Sequence, residues 1–252
     1  MIMRLFKNKK ISVMWVYILF VGNILSAYPP NYESAMELFI NQKYEESLNK
    51  IREVFDNYKN SLEFRLLAAA NYIELNNYDS ALAHLKYAMS DHPDSYEVYI
   101  LMSEVYIRKK QFNNATNLLY QAYNQFKNDK QKDIQIRYQI AKASYFAKNY
   151  QLARKQLETI IAQNPTFMPA FYLDGLIYLI QNNYELAQFR FNAITSLKEA
   201  DKDLLKRVYN NLGVLQEITT KNNQQAMKYY KKALSIDPNY ELAKSNLARI
   251  EK

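Results

Sequence analysis

The chain has 252 residues, with 33 basic and 25 acidic side chains and no cysteine. The lack of cysteine excludes a disulfide framework and a lipid-modified N-terminal cysteine. Only three glycines and six prolines are present, so helix breakers are few and the composition favours an all-helical fold.

Residues 1–27 differ in character from the rest of the chain. Basic residues precede a largely apolar run, Ile11 to Leu25, and Leu25-Ser26-Ala27 fits a small-residue cleavage site. The apolar run is shorter than the roughly twenty residues needed to span a bilayer. We therefore predict a signal peptide over residues 1–27, with an uncleaved N-terminal membrane anchor as the alternative. Either form places the protein outside the cytoplasm, in the periplasm or cell envelope, and the second anchors it to the inner membrane through residues 11–25.

A segment of about 34 residues then recurs six times over residues 28–240, with copies starting near residues 28, 62, 96, 134, 168 and 206. This period is typical of a solenoid built from helical hairpins. The eighth and twentieth residues of each copy are small, allowing one inserted residue in the sixth copy, as close helix crossings require. The eighth residues are Ala35, Ala69, Ser103, Ala141, Gly175 and Gly213, and the twentieth are Ser47, Ala81, Ala115, Ala153, Ala187 and Ala226.

Two of the copies are longer than the others. Proline closes the second, fourth and sixth copies at Pro93, Pro165 and Pro238, whereas four extra residues precede the copies at 134 and 206. Four residues make about one helical turn. Because no proline stops the helix there, we predict that the second helix of the preceding copy continues by a turn.

The residue pattern resembles the tetratricopeptide repeat over residues 28–252. The sixth copy carries Tyr209, Leu212, Gly213, Ala226, Tyr230, Ala233 and Pro238, and the fifth carries Phe171, Gly175, Tyr178, Ala187 and Phe191. The resemblance implies an all-α fold, a right-handed α-solenoid of six helix-turn-helix repeats, with a C-terminal capping helix over residues 241–252. Asp174 stands where this family usually buries a leucine, so we expect either a charged partner or a rotated helix.

No pattern in the chain predicts catalysis. The two histidines, His84 and His92, lack further ligands at metal-binding spacing, and there is no glycine-rich phosphate loop. We therefore predict no enzymatic activity, no cofactor and no metal. Without residues 1–27 the chain has 29 basic and 25 acidic residues, and this small excess argues against a nucleic-acid partner.

The resemblance implies that another protein, as a peptide or helix, binds the concave face. Five positions of each copy line that face, namely the second, fifth, ninth, twelfth and thirteenth, and most are apolar here. The candidate partner-binding residues are Tyr32, Met36, Phe39, Leu66, Ile73, Ile100, Glu104, Ile107, Tyr138, Lys142, Tyr145, Tyr172, Leu176 and Leu179. We predict a scaffold that binds an apolar helical or extended segment of a partner envelope protein. The alternative is a homo-oligomer that acts as a spacer or platform at the membrane.

Charged residues at the concave positions form an acidic edge in the second and third copies. These residues are Glu63, Glu74, Glu97 and Glu104, and Lys142 and Arg207 follow in later copies. Complementary charge sets the register of a bound segment more than it adds affinity. We therefore expect these residues to orient the partner.

Overall fold

The protein is described here from a computed structural model that covers residues 31–197 and 200–251. The predicted signal peptide and the start of the first copy lie outside the described residues, as do Lys198, Glu199 and Lys252. Across the described residues the regular structure is α-helix, and no strand occurs. No helix in this part of the chain is both long and apolar enough to cross a bilayer.

The described chain forms two compact units, residues 31–147 and residues 148–251. The helices of the first unit are α1 Tyr32–Ile40, α2 Tyr44–Arg52, α3 Phe55–Tyr58, α4 Leu62–Glu74, α5 Tyr78–Asp91, α6 Tyr96–Arg108, α7 Phe112–Phe126 and α8 Lys130–Phe146. Those of the second are α9 Tyr150–Gln163, α10 Met168–Ile180, α11 Tyr184–Thr195, α12 Lys202–Thr219, α13 Asn223–Ile236 and α14 Glu241–Ile250. The two helices of each hairpin pack against each other, for example α4 against α5 in the first unit and α10 against α11 in the second.

The helix starts follow the repeat spacing, with one correction. Helices α4, α6, α10 and α14 begin at Leu62, Tyr96, Met168 and Glu241. The prediction that α7 and α11 continue by an extra turn is wrong, because they end at Phe126 and Thr195. The extra residues instead lengthen α8 and α12 at their N-termini.

The reason lies in N-terminal capping. The Asp129 carboxylate accepts hydrogen bonds from the Gln131 and Lys132 amides, and the Asp201 carboxylate accepts one from the Leu204 amide. Each aspartate satisfies backbone donors that a helix start leaves without partners. A good cap therefore determines which of the two helices takes the extra turn.

The small residues lie at the helix crossings, as predicted. The eighth residues are buried throughout the described copies, and the twentieth have 0% exposure, for example Ala69 and Ala81. In the first hairpin the Ser47 hydroxyl donates to the Ala35 carbonyl at 2.7 Å and accepts from the Asn71 amide at 2.9 Å. A side chain larger than alanine or serine would force the helices apart.

The glycines in the second unit meet aromatic rings. A Cβ atom added to Gly175 would lie 2.6 Å from the Phe191 ring, and one added to Gly213 would lie 2.5 Å from the Tyr230 ring. In the first unit alanine or serine takes the place of the glycine and an aliphatic side chain takes the place of the ring, for example Ala69 with Leu85. The small residue at the eighth position and the residue four places after the twentieth therefore have a nearly constant summed volume.

Each hairpin turn uses a residue with positive φ, although none is glycine. Asn76, Lys110 and Lys148 have φ near 60°, and Gln42, Asn182 and Lys221 behave in the same way. This left-handed conformation disfavours residues with a Cβ, although asparagine tolerates it better than most. An asparagine then caps several of the second helices, as Asn77 does for α5 through the Ser80 amide.

Helix α14 covers the end of the α12–α13 hairpin. Leu247 and Ile250 pack against Val214, Ala226 and Tyr230. The Arg249 guanidinium donates to both carboxylate oxygens of Glu217, at 2.6 and 2.8 Å. The apolar face of α14 thus shields the last hairpin while its other face is exposed.

Candidate interaction surface

The first helices of the hairpins carry the candidate partner-binding residues. In the first unit α1, α4, α6 and α8 supply eleven of them, from Tyr32 to Tyr145, and in the second α10 supplies Tyr172, Leu176 and Leu179. They recur at spacings of three and four residues within a helix, so each helix presents them on one side. The repeat then places equivalent residues on successive helices within each unit.

These side chains are more buried than the sequence led us to expect. Twelve of the fourteen are less than 9% exposed, and only Met36 and Tyr172 are intermediate. Tyr32, Phe39, Leu66 and Ile73 belong to one apolar cluster, and Ile100 and Ile107 to another. In each unit the apolar residues predicted to line the concave face therefore form a closely packed row along the first helices, here called the row. Ile40 and Phe146, at the thirteenth position, are more accessible, at 41% and 43%.

A buried ion network crosses the row in the first unit. The Lys142 ammonium contacts Glu104 at 2.5 Å, and the Arg108 guanidinium donates to Glu104 at 2.8 Å and to Glu74 at 2.8 Å. The network joins α4, α6 and α8. With two carboxylates and two cations, it carries no net charge.

The electrostatics of Glu104 follow from this arrangement. Burial by itself would raise the pKa of the Glu104 carboxyl, but Lys142 and Arg108 outweigh burial and lower the pKa to about 2. Burial by itself would lower the pKa of the Arg108 guanidinium, but the carboxylates of Glu104 and Glu74 raise it. Glu104 and Arg108 are therefore both charged at neutral pH.

Sequence reasoning found Glu74, Glu104 and Lys142 but missed Arg108. Two spacings in the sequence carried the signal. Arg108 follows Glu104 by four residues, which places both on one helix face, and it follows Glu74 by 34 residues, one repeat. An ion pair at a spacing of one repeat indicates a contact between neighbouring copies.

The other predicted acidic residues have local partners. The carboxylates of Glu63 and Glu97 accept hydrogen bonds from the hydroxyls of Ser61 and Ser95 at 2.7 Å each, beside the starts of α4 and α6. In the second unit Arg207 contacts Asp203 at 2.5 Å. Most of the predicted charged residues therefore already have hydrogen-bond or ion-pair partners within the chain.

The second unit places a tyrosine and an asparagine together on the same face. The Tyr172 hydroxyl accepts a hydrogen bond from the Asn211 amide at 3.4 Å, which links α10 to α12. Burial raises the pKa of the Tyr172 hydroxyl, so it stays protonated and can also donate. Leu176 and Leu179 follow on α10 and are almost fully buried.

Asp174 has the charged partner that the sequence led us to expect. Its carboxylate is fully buried, accepts a hydrogen bond from Arg190 at 2.6 Å and lies 3.5 Å from Arg154. Arg154 in turn contacts Glu158 at 3.0 Å. These four side chains form a second neutral network, which joins α9, α10 and α11.

The two histidines lie in separate local environments. The His84 ring nitrogen Nδ1 is 3.5 Å from Arg65, and the His92 ring nitrogen Nε2 is 3.1 Å from the Asn60 carbonyl. Among the residues that the structure describes, no group of three or more histidine, cysteine, aspartate or glutamate side chains is placed to hold a metal ion.

Comparison with known sequences identifies the repeat. Sequence profiles described as tetratricopeptide repeat match residues 72–131 and residues 206–240. Both units of the chain therefore contain tetratricopeptide repeats. A curated relative, the uncharacterized protein ycf37 of Cyanophora paradoxa, is 40% identical over 74 residues. That match covers 29% of this tetratricopeptide protein and 42% of the relative, so it spans less than half of the relative's length.

Solved structures share the tetratricopeptide fold over almost the whole chain. A tetratricopeptide repeat protein from Parabacteroides merdae is 16% identical, with a TM-score of 0.71, and the match covers 95% of this chain and 90% of that one. PilW, described as a type IV pilus biogenesis factor, is 19% identical, with a TM-score of 0.67 and coverage of 86% and 96%. The fold class is thus an all-α tetratricopeptide solenoid, a type of array that generally serves as a binding scaffold.

Proposed function

We propose that this protein is a non-enzymatic scaffold that binds an apolar helical or extended segment of another protein along the first helices of its repeats. The observation that carries the proposal is the row of apolar side chains on these helices, in which the charged members are already paired. Tetratricopeptide arrays use the surface formed by these helices for binding. The proposed binding residues are the fourteen named from the sequence.

The charge balance of the row supports an apolar partner segment. Glu74, Glu104, Arg108 and Lys142 neutralise one another, so an incoming charged residue would have to break an existing ion pair. An apolar segment does not incur this desolvation cost. Because twelve of the residues are nearly covered, the partner first contacts the accessible positions, such as Met36, Ile40 and Phe146.

We further propose that the protein acts outside the cytoplasm, in the periplasm or cell envelope. The support is the basic start, apolar run and small-residue site within residues 1–27. PilW, whose fold is similar, is described as a type IV pilus biogenesis factor. In this proposal residues 28–240 form six repeats, residues 241–252 form the cap, and residues 1–27 are removed or kept as a membrane anchor.

Site-specific photo-crosslinking tests the binding face. A photoreactive amino acid is placed at Met36 or Tyr172 of the full chain, and as a matched control at Tyr120, which is exposed on α7. We expect the same partner to be captured in native envelopes from the first two positions but not from the control. Equal capture from all three positions, or none from Met36 and Tyr172, contradicts binding at this face.

A substitution pair separates binding from folding. Tyr172→Ala, at a partly exposed position, should weaken capture of that partner, measured by pull-down, while the melting temperature falls less than in Tyr138→Ala, where a side chain only 4% exposed is removed. If both substitutions unfold the protein, these tyrosines are core residues and the binding face must be redrawn around Met36, Ile40 and Phe146.

The alternative function is a self-assembled spacer or platform at the membrane. It is favoured by the exposed apolar side chains Ile40 and Phe146, which a second copy could cover. Size-exclusion chromatography with light scattering on the full chain in a mild detergent distinguishes the two. A monodisperse monomer removes the alternative, whereas a stable dimer in which Met36 and Tyr172 no longer crosslink to other proteins supports it.

A further inference from the structure

An exposed phenylalanine stands out on the outer side of the second unit. Phe189 on α11 is 62% exposed, the highest value among the exposed large apolar residues described, and Leu186, three residues earlier, is 41% exposed. Residues three apart lie on one face of a helix. Leu186 and Phe189 therefore form a small apolar patch, here called the α11 patch, on a helix that supplies none of the proposed partner-binding residues.

The ring of Phe189 lies beside Arg190, a member of the ion network around Asp174. The guanidinium carbon of Arg190 lies 5.8 Å from the ring centroids of both Phe189 and Phe171. Arg190 is itself fixed by the buried carboxylate of Asp174 at 2.6 Å. The ring of Phe189 is thus supported by a fixed cation.

Exposed lysines occupy the equivalent position on the neighbouring second helices. Phe189 comes two residues after the small residue Ala187, and the same place is taken by Lys155 on α9 and by Lys228 on α13. Because equivalent positions of successive repeats fall on one face, the phenylalanine lies between two lysines in the repeat order. Neither lysine forms an ion pair with a residue of the described chain.

The remaining charges around the α11 patch are mostly positive or already paired. Arg154, Arg190, Asp174 and Glu158 neutralise one another. Lys231, three residues after Lys228 on α13, is another exposed cation, and Glu185 at the start of α11 is the exposed anion nearby in the sequence. Three lysines against one glutamate leave a net positive field around an aromatic residue.

We propose that the α11 patch, with Lys155 and Lys228, docks the second unit onto an anionic lipid surface. An aromatic ring enters the headgroup region while flanking lysines attract acidic headgroups. The proposal goes beyond binding of a partner segment, because it uses the opposite helices of the repeats and another class of partner.

Two other occupants fit the α11 patch less well. A stable protein interface buries about 800 Å² on each partner, and two exposed apolar side chains provide far less than its apolar centre needs. A second copy of this chain, related by a two-fold axis, would bring Lys155 against Lys228 of the other copy, and like charges repel. A lipid surface needs no matching shape and supplies the opposite charge.

Tryptophan fluorescence in the full chain tests the proposal. The single natural tryptophan is removed by Trp15→Phe, and Phe189→Trp places the only indole in the α11 patch. Vesicles of phosphatidylglycerol and phosphatidylethanolamine, or of phosphatidylcholine alone, carry brominated acyl chains that quench a buried indole. The matched control carries Trp15→Phe with Tyr120→Trp, on the exposed outer side of the first unit. Both proteins share the same residues 1–27, so only the local environment differs.

We expect quenching and a blue shift at position 189 with the anionic vesicles, little change with phosphatidylcholine, and little change at position 120. Adding Lys155→Ala and Lys228→Ala should weaken the vesicle affinity roughly thirtyfold, whereas Lys155→Arg and Lys228→Arg should preserve it. Equal quenching at both positions, no quenching at position 189, or a blue shift that depends on protein concentration without vesicles overturns the proposal. The last result indicates a second copy as the occupant.

Discussion

The two units solve the same packing problem with different pairs of side chains. In the first unit a hairpin such as α4–α5 joins alanine at the eighth position, Ala69, to an aliphatic residue, Leu85. In the second unit Gly175 and Gly213 make room for Phe191 and Tyr230. The comparison teaches that the crossing conserves the volume of a pair, not the identity of either residue.

The units also differ in charge. Residues 31–147 contain 14 basic and 15 acidic side chains, whereas residues 148–197 and 200–251 contain 13 basic and 9 acidic ones. Both units contain a neutral ion network, around Glu104 in the first and Asp174 in the second, so the positive excess of the second unit lies on exposed lysines such as Lys155 and Lys228. The charge difference supports the proposal that the second unit docks onto an anionic lipid surface.

Breaking the buried network of the first unit should have the largest effect on stability. Glu104→Gln leaves the Lys142 ammonium without its carboxylate partner in a buried site, and we expect a loss of about 3–5 kcal/mol in the free energy of unfolding. Urea denaturation followed by circular dichroism measures the change. Replacing both partners, Glu104→Leu with Lys142→Met, should cost much less, because no unpaired charge remains. If the double variant is as unstable as the single one, the network does not stabilise by mutual neutralisation.

Exchanging the crossing pairs between the units tests volume conservation. Gly213→Ala pushes a Cβ into the Tyr230 ring, whose hydroxyl is held by Glu217, and should cost about 1–3 kcal/mol. Gly213→Ala with Tyr230→Leu recreates the pair found at Ala69 and Leu85.

In a double-mutant cycle we expect a favourable coupling of about 1 kcal/mol between these two substitutions. Strictly additive losses would mean that the ring and the glycine are not matched. The bulkier Gly213→Leu should destabilise the protein on the same scale or more, and an unchanged melting temperature would count against the repeat alignment.

The stability of the first unit should also depend on pH through His84. Burial, with a smaller contribution from Arg65, lowers the pKa of the His84 ring to about 4 from its usual 6.5. Between those values the unfolded chain binds a proton that the folded chain does not. Stability is therefore full above pH 6.5 and falls as the pH decreases towards 4, by about 2 kcal/mol after allowance for partial solvent exposure. Unfolding of the wild type and of His84→Gln at pH 7.5 and 4.5 measures the difference, and an equal pH dependence in both contradicts it.

The N-terminal caps of the lengthened helices should have the smallest effects, similar in the two units. Asp129→Ala at α8 and Asp201→Ala at α12 should each cost about 1 kcal/mol, while Asp129→Asn and Asp201→Asn should cost only a few tenths. Thermal melts of the four variants test this. A negligible loss in both alanine variants would show that the extra turn forms without its cap.

The repeat pattern predicted most of the fold because its signals are local or periodic. The starts of α4, α6 and α10 and the burial of Ala81 and Ala115 follow from spacing and residue size. Less of the candidate surface was predictable. The same periodicity that places Leu66 and Ile100 on one side of their helices does not state how much of that side neighbouring residues cover.

The amino-acid sequence alone determined the all-α repeat, its period and the small residues at each crossing, because each depends on properties repeated about every 34 residues. Only the tertiary structure decided that the extra turns belong to α8 and α12, that Arg108 joins Glu74 and Glu104, and that Asp174 lies between Arg154 and Arg190. These outcomes depend on competition between caps and on ion pairs between helices. Their energies are set by distances across the fold.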